Sequence, residues 1–345
     1  MNVKQTEMKL PKKANNQNSE SLLVQNADLI LPWLTHQQLA TLSLTSKSLH
    51  NLSQSITLNR ISDASRNFEN FPIPFLNNNN NQNHPYSYFL YTPSLLLSST
   101  NNIPRYQPWG GNSATSTNPK TIGDNDNDDD GLVSFVDVVG CDCGEICGEE
   151  CGCLGFCDDV GRECGPGCFC EVGCGNRVSR NGVAVRVKIV RCGGEKGWGL
   201  FADQVIRKGE FLFHYAGELL TTKEAQRRQQ FYDELSSRGR FSSALLVVRE
   251  HLPSGNACLR LNIDATRIGN VARFVNHSCD GGNLSTKLIR SSGALFPRLC
   301  FFALKDIQKD EELTFSYGEI RKRSNGLPCY CNSPSCLGTL PSEDT

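Results

Sequence analysis

The distribution of cysteine constrains this chain more than any other feature of its sequence. The chain has 17 cysteines among 345 residues, none of them before Cys141 and ten between Cys141 and Cys174. Thiols this dense are held either in disulfides or on metal ions. Residues 1–17 lack the apolar segment of a secretory signal, which disfavours a secreted disulfide scaffold. The pattern therefore favours an intracellular metal cluster.

The spacing of these ten cysteines predicts zinc bound partly by shared thiolates. Glycines between them supply the sharp turns that let close neighbours converge on one ion. Almost no apolar residue is present to form a core, so the metal must supply the folding free energy. At about four ligands per zinc, three ions need only nine cysteines if three of them bridge. An iron–sulfur cluster is the alternative metal group.

Residues 1–66 fall into two segments of different composition. Residues 1–20 are polar and are predicted to be disordered. Residues 21–66 carry leucines at spacings of three and four, which predicts a small helical segment. This segment is either a plain helical subdomain or docking helix pair, or an F-box-like element. The second interpretation depends on Leu31-Pro32-Trp33-Leu34 and the later stretch Leu42–Lys47, which resemble the F-box pattern.

Residues 67–131 are predicted to be a low-complexity linker. They include an unbroken amide run, Asn77–Asn83, and later a group of aspartates. Such a composition buries little apolar surface. Two apolar runs interrupt it, Phe89–Tyr91 and Leu95–Leu97, and we expect these to form a strand or short helix that docks on the later domain.

Three motifs follow the cysteines in a fixed order. They are Lys196-Gly197-Trp198-Gly199-Leu200-Phe201-Ala202, Arg273-Phe274-Val275-Asn276-His277-Ser278-Cys279 and Glu311-Glu312-Leu313-Thr314-Phe315-Ser316-Tyr317-Gly318. In the first motif, glycines beside an aromatic residue let the backbone pass close to a ligand. Each motif alone also has a structural interpretation: a hairpin turn, a turn with a core histidine, and an edge strand with a packed tyrosine.

A second metal site is predicted near the C-terminus. Cys329, Cys331 and Cys336 have no fourth partner nearby in sequence. Cys279 is the obvious residue to complete a tetrahedral site. That closure would pull the tail against the Asn276-His277 motif, and it brings the predicted zinc count to four.

Taken together, residues 135–337 resemble the suppressor-of-variegation class of SET-domain lysine methyltransferases, and most of all its plant subgroup. The cysteine region resembles a pre-SET zinc cluster (135–178), the three motifs resemble a SET domain (184–318), and the last cysteines resemble a post-SET tail (325–341). The implied fold is mainly β, with small curved β-sheets. The Asn276 and Tyr317 segments would be threaded together as a pseudoknot.

The resemblance also implies the ligands of each zinc site and leaves Cys157 as a spare thiol. The cluster ligands would be Cys141, Cys143, Cys147, Cys151, Cys153, Cys164, Cys168, Cys170 and Cys174, and the tail ligands Cys279, Cys329, Cys331 and Cys336.

The implied activity is methyl transfer from S-adenosylmethionine to a lysine. The cofactor would lie against Lys196, Gly197, Trp198, the Asn276 side chain and the His277 backbone. Tyr215 would support the pocket, and Tyr330 would cover the adenine. Tyr317 would be the catalytic residue and would orient the methyl group through weak CH···O contacts. Phe315, two positions earlier, implies a di- or trimethylated product.

The implied partner is a histone tail, with the ninth residue of histone H3 favoured, in a nuclear, chromatin-associated protein. We expect no membrane association, because no apolar run reaches the length of about 18 residues that a spanning helix needs. We also expect no direct sequence-specific binding of nucleic acid. Residues 124–171 contain fourteen acidic residues and one arginine, Arg162, which is the wrong sign for phosphate contacts.

The chain departs from the family pattern in two places. Ser316 stands where relatives have aspartate, and the stretch 241–247 lacks the tyrosine that relatives carry there. An inactive or weak SET-fold scaffold, acting as a chromatin or ubiquitin-ligase adaptor, is therefore the alternative function.

Overall fold

The computed structural model of the chain falls into two compact units, Met1–Asn59 and Arg60–Thr345. The residues it describes are 22, 24–77, 85–98, 104–106, 140–148, 150–153, 156–157, 160–165, 167–171, 173–193, 195–238, 241–251, 258–294, 296–318 and 327–341. The predicted disorder of residues 1–20 lies outside this set, as do residues 78–84, 99–103 and 107–131 of the predicted linker. None of the helices in the described part of the chain combines the length and hydrophobicity needed to cross a membrane.

The N-terminal segment is helical, as predicted. Its elements are α1 (Ala27–Ile30), a 3-10 turn (Leu31–Trp33), α2 (His36–Ser43) and α3 (Lys47–Ser62). A capping box begins α2: the Thr35 hydroxyl accepts from the Gln38 amide at 3.2 Å, and the Gln38 side chain accepts from the Thr35 amide at 2.8 Å. A small core of Ala27, Leu31 and Leu39 holds these turns together. The F-box-like interpretation of this segment stays a prediction.

The larger unit consists mainly of short β-strands, which confirms the predicted fold class. Its strands are β1 (Phe75–Leu76), β2 (Leu90–Tyr91), β3 (Leu96–Ser98), β4 (Pro104–Tyr106), β5 (Phe156–Cys157), β6 (Val160–Glu163), β7 (Val187–Arg191), β8 (Trp198–Ala202), β9 (Phe211–His214), β10 (Gly217–Leu220), β11 (Leu245–His251), β12 (Cys258–Gly269), β13 (Asn276–His277), β14 (Leu284–Ser291), β15 (Arg298–Ala303) and β16 (Thr314–Phe315). Its helices are α4 (Thr222–Arg238) and the 3-10 helices Val178–Arg180 and Val271–Phe274.

These strands form several small sheets. One has the order β1-β7-β8, a larger one β11-β12-β10-β3-β4 with β2 also on β12, and a third β5-β6-β14-β15-β9. Strand β6 belongs to the cysteine-rich region and runs parallel to β14. At its end, the buried Glu163 carboxylate accepts from Arg298 at 3.2 Å. The cysteine-rich region is thus joined to the later sheets by backbone pairing and by a buried ion pair.

The second and third motifs lie side by side. Strand β13 pairs in parallel with β16, with Asn276 opposite Thr314 and His277 opposite Phe315. The Ser278 amide donates to the Phe315 carbonyl at 3.0 Å and extends this pairing. The two segments meet as the predicted pseudoknot requires.

The structure departs from the predicted linker at residues 71–77 and 85–98. Strands β1, β2 and β3 pair in parallel with β7, β12 and β10. The buried side chains of this stretch include Ile73, Phe75, Tyr86, Phe89, Tyr91 and Leu95. The linker prediction is wrong for these residues because strands of two or three residues hardly alter an average composition. The prediction that the apolar runs dock on the later domain is confirmed.

Side chains from this stretch support two of the motifs. The Phe75 ring packs edge-on against Trp198 at 5.2 Å and against Phe274 at 5.8 Å, between ring centroids. The Phe89 ring packs against Phe274 at 5.5 Å, and the Arg273 guanidinium lies 4.8 Å from the Phe89 ring centre. Residues far upstream therefore form one wall behind the first and second motifs.

Candidate functional site

Three sulfur atoms form a triangle at the centre of the cysteine-rich region. The Sγ–Sγ distances are 3.6 Å for Cys141–Cys147, 3.8 Å for Cys141–Cys164 and 3.5 Å for Cys147–Cys164. Zinc–thiolate bonds are about 2.3 Å long, so sulfurs this close fit ligands of shared ions. Three zinc ions on nine cysteines need three bridging cysteines, and the triangle offers three.

Further cysteines surround the triangle in groups of four. Within each group all sulfurs lie within 4.8 Å of one another, and the groups are Cys141, Cys143, Cys147 and Cys151; Cys141, Cys147, Cys164 and Cys170; and Cys141, Cys153, Cys164 and Cys168. Cys174 belongs to none of them but interacts with the thiols of Cys147 and Cys170. The side chain of Cys157, the predicted spare thiol, lies outside the described residues. This arrangement suits zinc binding.

Polar groups around the cluster are aimed at its sulfurs. The Asn176 amide donates to Cys164 Sγ at 3.3 Å, and the buried Arg177 guanidinium donates to Cys170 Sγ at 3.1 Å. Donors around metal thiolates disperse negative charge and orient the ligands. The Asn-Arg pair that follows the last cluster cysteine is therefore part of the cluster.

The second predicted zinc site is also assembled. The sulfurs of Cys279, Cys329, Cys331 and Cys336 lie within 4.8 Å of one another. Cys279 brings the site against the second motif, because its Sγ lies 3.3 Å from His277 Nε2. Burial raises the pKa of Cys329 to about 12. A divalent cation would reverse that effect by stabilising the thiolate.

Two predicted cofactor-binding residues, Lys196 and Asn276, contact one carboxylate, that of Glu312, and a third, Trp198, contacts Asn276. The Asn276 amide donates to Glu312 Oε1 at 2.8 Å and to the Trp198 carbonyl at 3.3 Å. Lys196 Nζ lies 2.6 Å from Glu312 Oε2. The first, second and third motifs therefore meet at one point. Glu312 could not be singled out from the sequence, because one of two successive glutamates carries no signal of its own.

Two glycines leave space for the contact between Glu312 and Asn276. Gly197 has a φ of +84°, a conformation that favours glycine, and its carbonyl accepts from the Cys192 amide at 2.9 Å. A Cβ on Gly199 would lie 2.8 Å from Glu312 Oε1 and 3.1 Å from Asn276 Nδ2. The glycines on both sides of Trp198 are thus required by a turn and by a close side-chain contact.

Tyr317 is held at both ends by the second motif. Its hydroxyl donates to the Val275 carbonyl at 2.9 Å, and its backbone amide donates to His277 Nδ1 at 3.2 Å. Burial of the hydroxyl, followed by the nearby Glu312 carboxylate, raises the pKa of Tyr317 well above its usual range. The hydroxyl is therefore protonated at neutral pH.

Two more predicted site residues lie at the edges of this constellation. The buried Tyr215 hydroxyl donates to the Ala244 carbonyl at 2.8 Å, inside the stretch 241–247 that contains no tyrosine. Burial raises the pKa of Tyr215. The neighbouring Tyr317 hydroxyl would raise it further only if that hydroxyl were ionised. Tyr330 is partly exposed and donates to Glu195 at 2.6 Å, beside the first motif. Tyr215 thus neighbours Tyr317, whereas Tyr330 contacts the first-motif loop.

This geometry agrees with the proteins that the chain resembles. Residues 197–318 match the SET domain family. The chain is 54% identical over 327 residues to the histone-lysine N-methyltransferase SUVR3 of Arabidopsis thaliana, an alignment that covers 92% of this chain and 91% of that protein.

Solved structures agree with the sequence comparison. The methyltransferase domain of human SETMAR superposes with a TM-score of 0.57 at 27% identity, covering 81% of this chain and 97% of that one. KRYPTONITE in complex with mCHG DNA and SAH superposes with a TM-score of 0.57 at 25% identity, covering 81% of this chain and 53% of that one.

Proposed function

This chain belongs to the SET-domain histone-lysine N-methyltransferases and uses S-adenosylmethionine, and from that premise we propose that its substrate is the tail of histone H3, with the ninth residue as the favoured lysine. The family pattern of the zinc cluster and the three motifs supports this substrate. A protein with that substrate acts in the nucleus, on chromatin.

The observation that carries the proposal is that Lys196 and Asn276 meet at Glu312 while Asn276 also holds the Trp198 carbonyl. The cofactor's methionine part bears an ammonium and a carboxylate, which need an acceptor and a cationic donor. Asn276 and Lys196 offer these at one place. We propose that Lys196, Gly197, Trp198, Asn276 and the His277 backbone hold the cofactor, with Tyr215 and Tyr330 at its edges.

When bound, S-adenosylmethionine supplies a methyl carbon that a sulfonium has already activated, so the chain needs no covalent catalyst. The Tyr317 hydroxyl donates a hydrogen bond to the Val275 carbonyl and keeps its oxygen lone pairs for weak CH···O contacts. Because its pKa is raised, the Tyr317 hydroxyl stays protonated and cannot act as a base, so Tyr317 acts by alignment. Alignment at near-attack distance can lower a barrier by about 7–11 kcal/mol. Any desolvation of the substrate lysine at this site would favour loss of its proton, because burial disfavours the charged form.

We also propose how zinc is distributed. Three ions would be held by Cys141, Cys143, Cys147, Cys151, Cys153, Cys164, Cys168, Cys170 and Cys174, and a fourth by Cys279, Cys329, Cys331 and Cys336. In this assignment Cys174, rather than Cys141, is the fourth ligand of the ion bound by Cys147, Cys164 and Cys170. Each of the three triangle cysteines then binds two ions, and each of the other six binds one. The fourth site would hold the C-terminal tail against the His277 strand.

A histone peptide array tests the substrate. Zinc-loaded full-length protein and labelled cofactor should methylate H3 peptides that contain the ninth residue, and not the same peptides with arginine at that position. Methylation confined to another histone lysine would contradict the H3 assignment. A complete lack of transfer, with cofactor still bound, would favour the scaffold alternative.

The degree of methylation gives a second prediction. Phe315 is buried, and its ring centroid lies 4.9 Å from that of Tyr317. A phenylalanine here holds no water next to the amine, so a methylated lysine has space to turn its lone pair back for another transfer. Phe315→Tyr should anchor a water there, and displacing a well-bonded water has a free-energy cost. We expect di- or trimethyl product from wild type and monomethyl product from Phe315→Tyr, measured by mass spectrometry under excess cofactor.

Phe302→Tyr is the matched control. The Phe302 ring packs on Phe211, with 5.5 Å between ring centroids, and not on Phe315 or Tyr317. The degree of methylation should therefore be unchanged. A wild-type enzyme that stops at one methyl group would contradict the prediction.

A further inference from the structure

Glu312 joins residues that the sequence places far apart. Its two carboxylate oxygens contact the Asn276 amide at 2.8 Å and the Lys196 ammonium at 2.6 Å. Only 15% of the Lys196 side chain and 20% of the Glu312 side chain are exposed. The pair is therefore shielded from most of the solvent that weakens surface ion pairs.

This contact determines which way the Asn276 amide points. Its neighbours on this side are the Glu312 carboxylate and the Trp198 carbonyl, both of which can only accept hydrogen bonds. The amide nitrogen must face them, and both of its N–H groups are used. Its Oδ1 can then serve a ligand only as an acceptor. An acceptor suits an ammonium group and opposes a carboxylate.

The same contact explains the second glycine of the first motif. Any side chain at Gly199 would place its Cβ within 2.8 Å of Glu312 Oε1 and 3.1 Å of Asn276 Nδ2. It would also lie 3.0 Å from Cys192 Sγ. Contacts this short force a displacement, so glycine at this position preserves the carboxylate–amide pair.

We propose that Glu312 is a positioning residue for the cofactor: it orients Asn276 so that its Oδ1 accepts from the cofactor ammonium, and it holds the Lys196 ammonium beside the cofactor carboxylate. This inference rests on the proposed cofactor site. Glu312 touches the residues that bind the cofactor and acts through them. Its loss should therefore weaken cofactor binding more than it slows the chemical step.

Calorimetry of S-adenosylhomocysteine binding to the zinc-loaded full-length protein tests the proposal. Glu312→Gln should weaken binding by about tenfold or more, the factor expected when a hydrogen bond to a charged group is lost. Glu311→Gln is the matched control, because this adjacent carboxylate accepts from Asn283 at 2.9 Å and not from Asn276. It should bind almost as wild type does.

A swapped pair separates orientation from general stability. Asn276→Asp alone should bind weakly, because two carboxylates then face each other. In the double variant Asn276→Asp with Glu312→Gln, the amide introduced at position 312 can donate to the carboxylate introduced at position 276, whose other oxygen remains an acceptor. The total charge is unchanged, and part of the lost affinity should return, although the hydrogen bond to the Trp198 carbonyl stays lost.

The contrary outcomes are distinct. Wild-type affinity in Glu312→Gln, an equal loss in Glu311→Gln, or additive losses in the double variant would each overturn the positioning role. Failure of the wild-type protein itself to bind S-adenosylhomocysteine would overturn the proposed cofactor site, and this inference with it.

Discussion

Removal of zinc is expected to unfold residues 141–174 and to abolish methyl transfer. In the described part of that segment, the buried cluster consists of cysteines. A structural zinc contributes about 10–16 kcal/mol of apparent binding free energy. That is as large as the whole net stability of a typical domain, which is about 5–15 kcal/mol. Chelation followed by hydrogen exchange should show loss of protection in these residues, and elemental analysis of the intact protein should give four zinc ions per chain.

Two substitutions sharpen this test. Cys164→Ser removes a sulfur that belongs to two of the four-cysteine groups and should lower the zinc content by more than one ion. Cys192→Ser removes a half-buried thiol that belongs to none of these groups and should leave the zinc content at four. One or two zinc ions in the wild-type protein would contradict the shared-thiolate cluster.

Tyr317→Phe is expected to lower turnover by roughly 10²-fold or more, the scale seen when one preorganised polar group of an active site is removed. The variant keeps the ring that packs near Phe315 and His277 and loses only the hydroxyl that donates to Val275. Because alignment matters in the transition state, the loss should fall on kcat, with cofactor affinity little changed. Steady-state kinetics together with calorimetry of S-adenosylhomocysteine measure both quantities.

Tyr330→Phe is the comparison for the loss of the Tyr317 hydroxyl. The Tyr330 hydroxyl contacts Glu195 at the partly exposed edge of the site, so its removal should affect cofactor affinity more than turnover. Wild-type turnover in Tyr317→Phe would reduce Tyr317 to a packing residue.

The cysteine cluster and the three motifs could be predicted because they depend on residues close together in sequence or on counting metal ligands. Cysteine spacing with intervening glycines implied bridging thiolates, and the Cys141–Cys147–Cys164 triangle has the geometry that bridging needs. The missing fourth ligand of the tail implied Cys279, which lies among the tail cysteines. In both cases, zinc chemistry restricts the number and type of ligands so strongly that few arrangements remain.

The interactions that could not be predicted join residues far apart in sequence, in segments that show no hydrophobic periodicity. Strand β1 has two residues, too few to show the alternation by which strands are recognised. Phe75 therefore looked like part of a linker, although it packs on Trp198 and Phe274. Glu312 escaped for a related reason. Its partners Lys196 and Asn276 come together only after the pseudoknot forms, and nothing next to it in the chain indicates them.

The parallel pairing of β1, β2 and β3 also has a consequence for synthesis of the protein. Phe75 pairs with Ile189, and Leu90 with Ile268, so each strand leaves the ribosome more than a hundred residues ahead of its partner. At a translation rate of about 5–20 residues per second, that delay is on the order of ten seconds. Throughout it, apolar strands have open edges that can pair with other chains. The catalytic unit must therefore complete its folding late in translation, and slower synthesis should increase aggregation of the nascent chain.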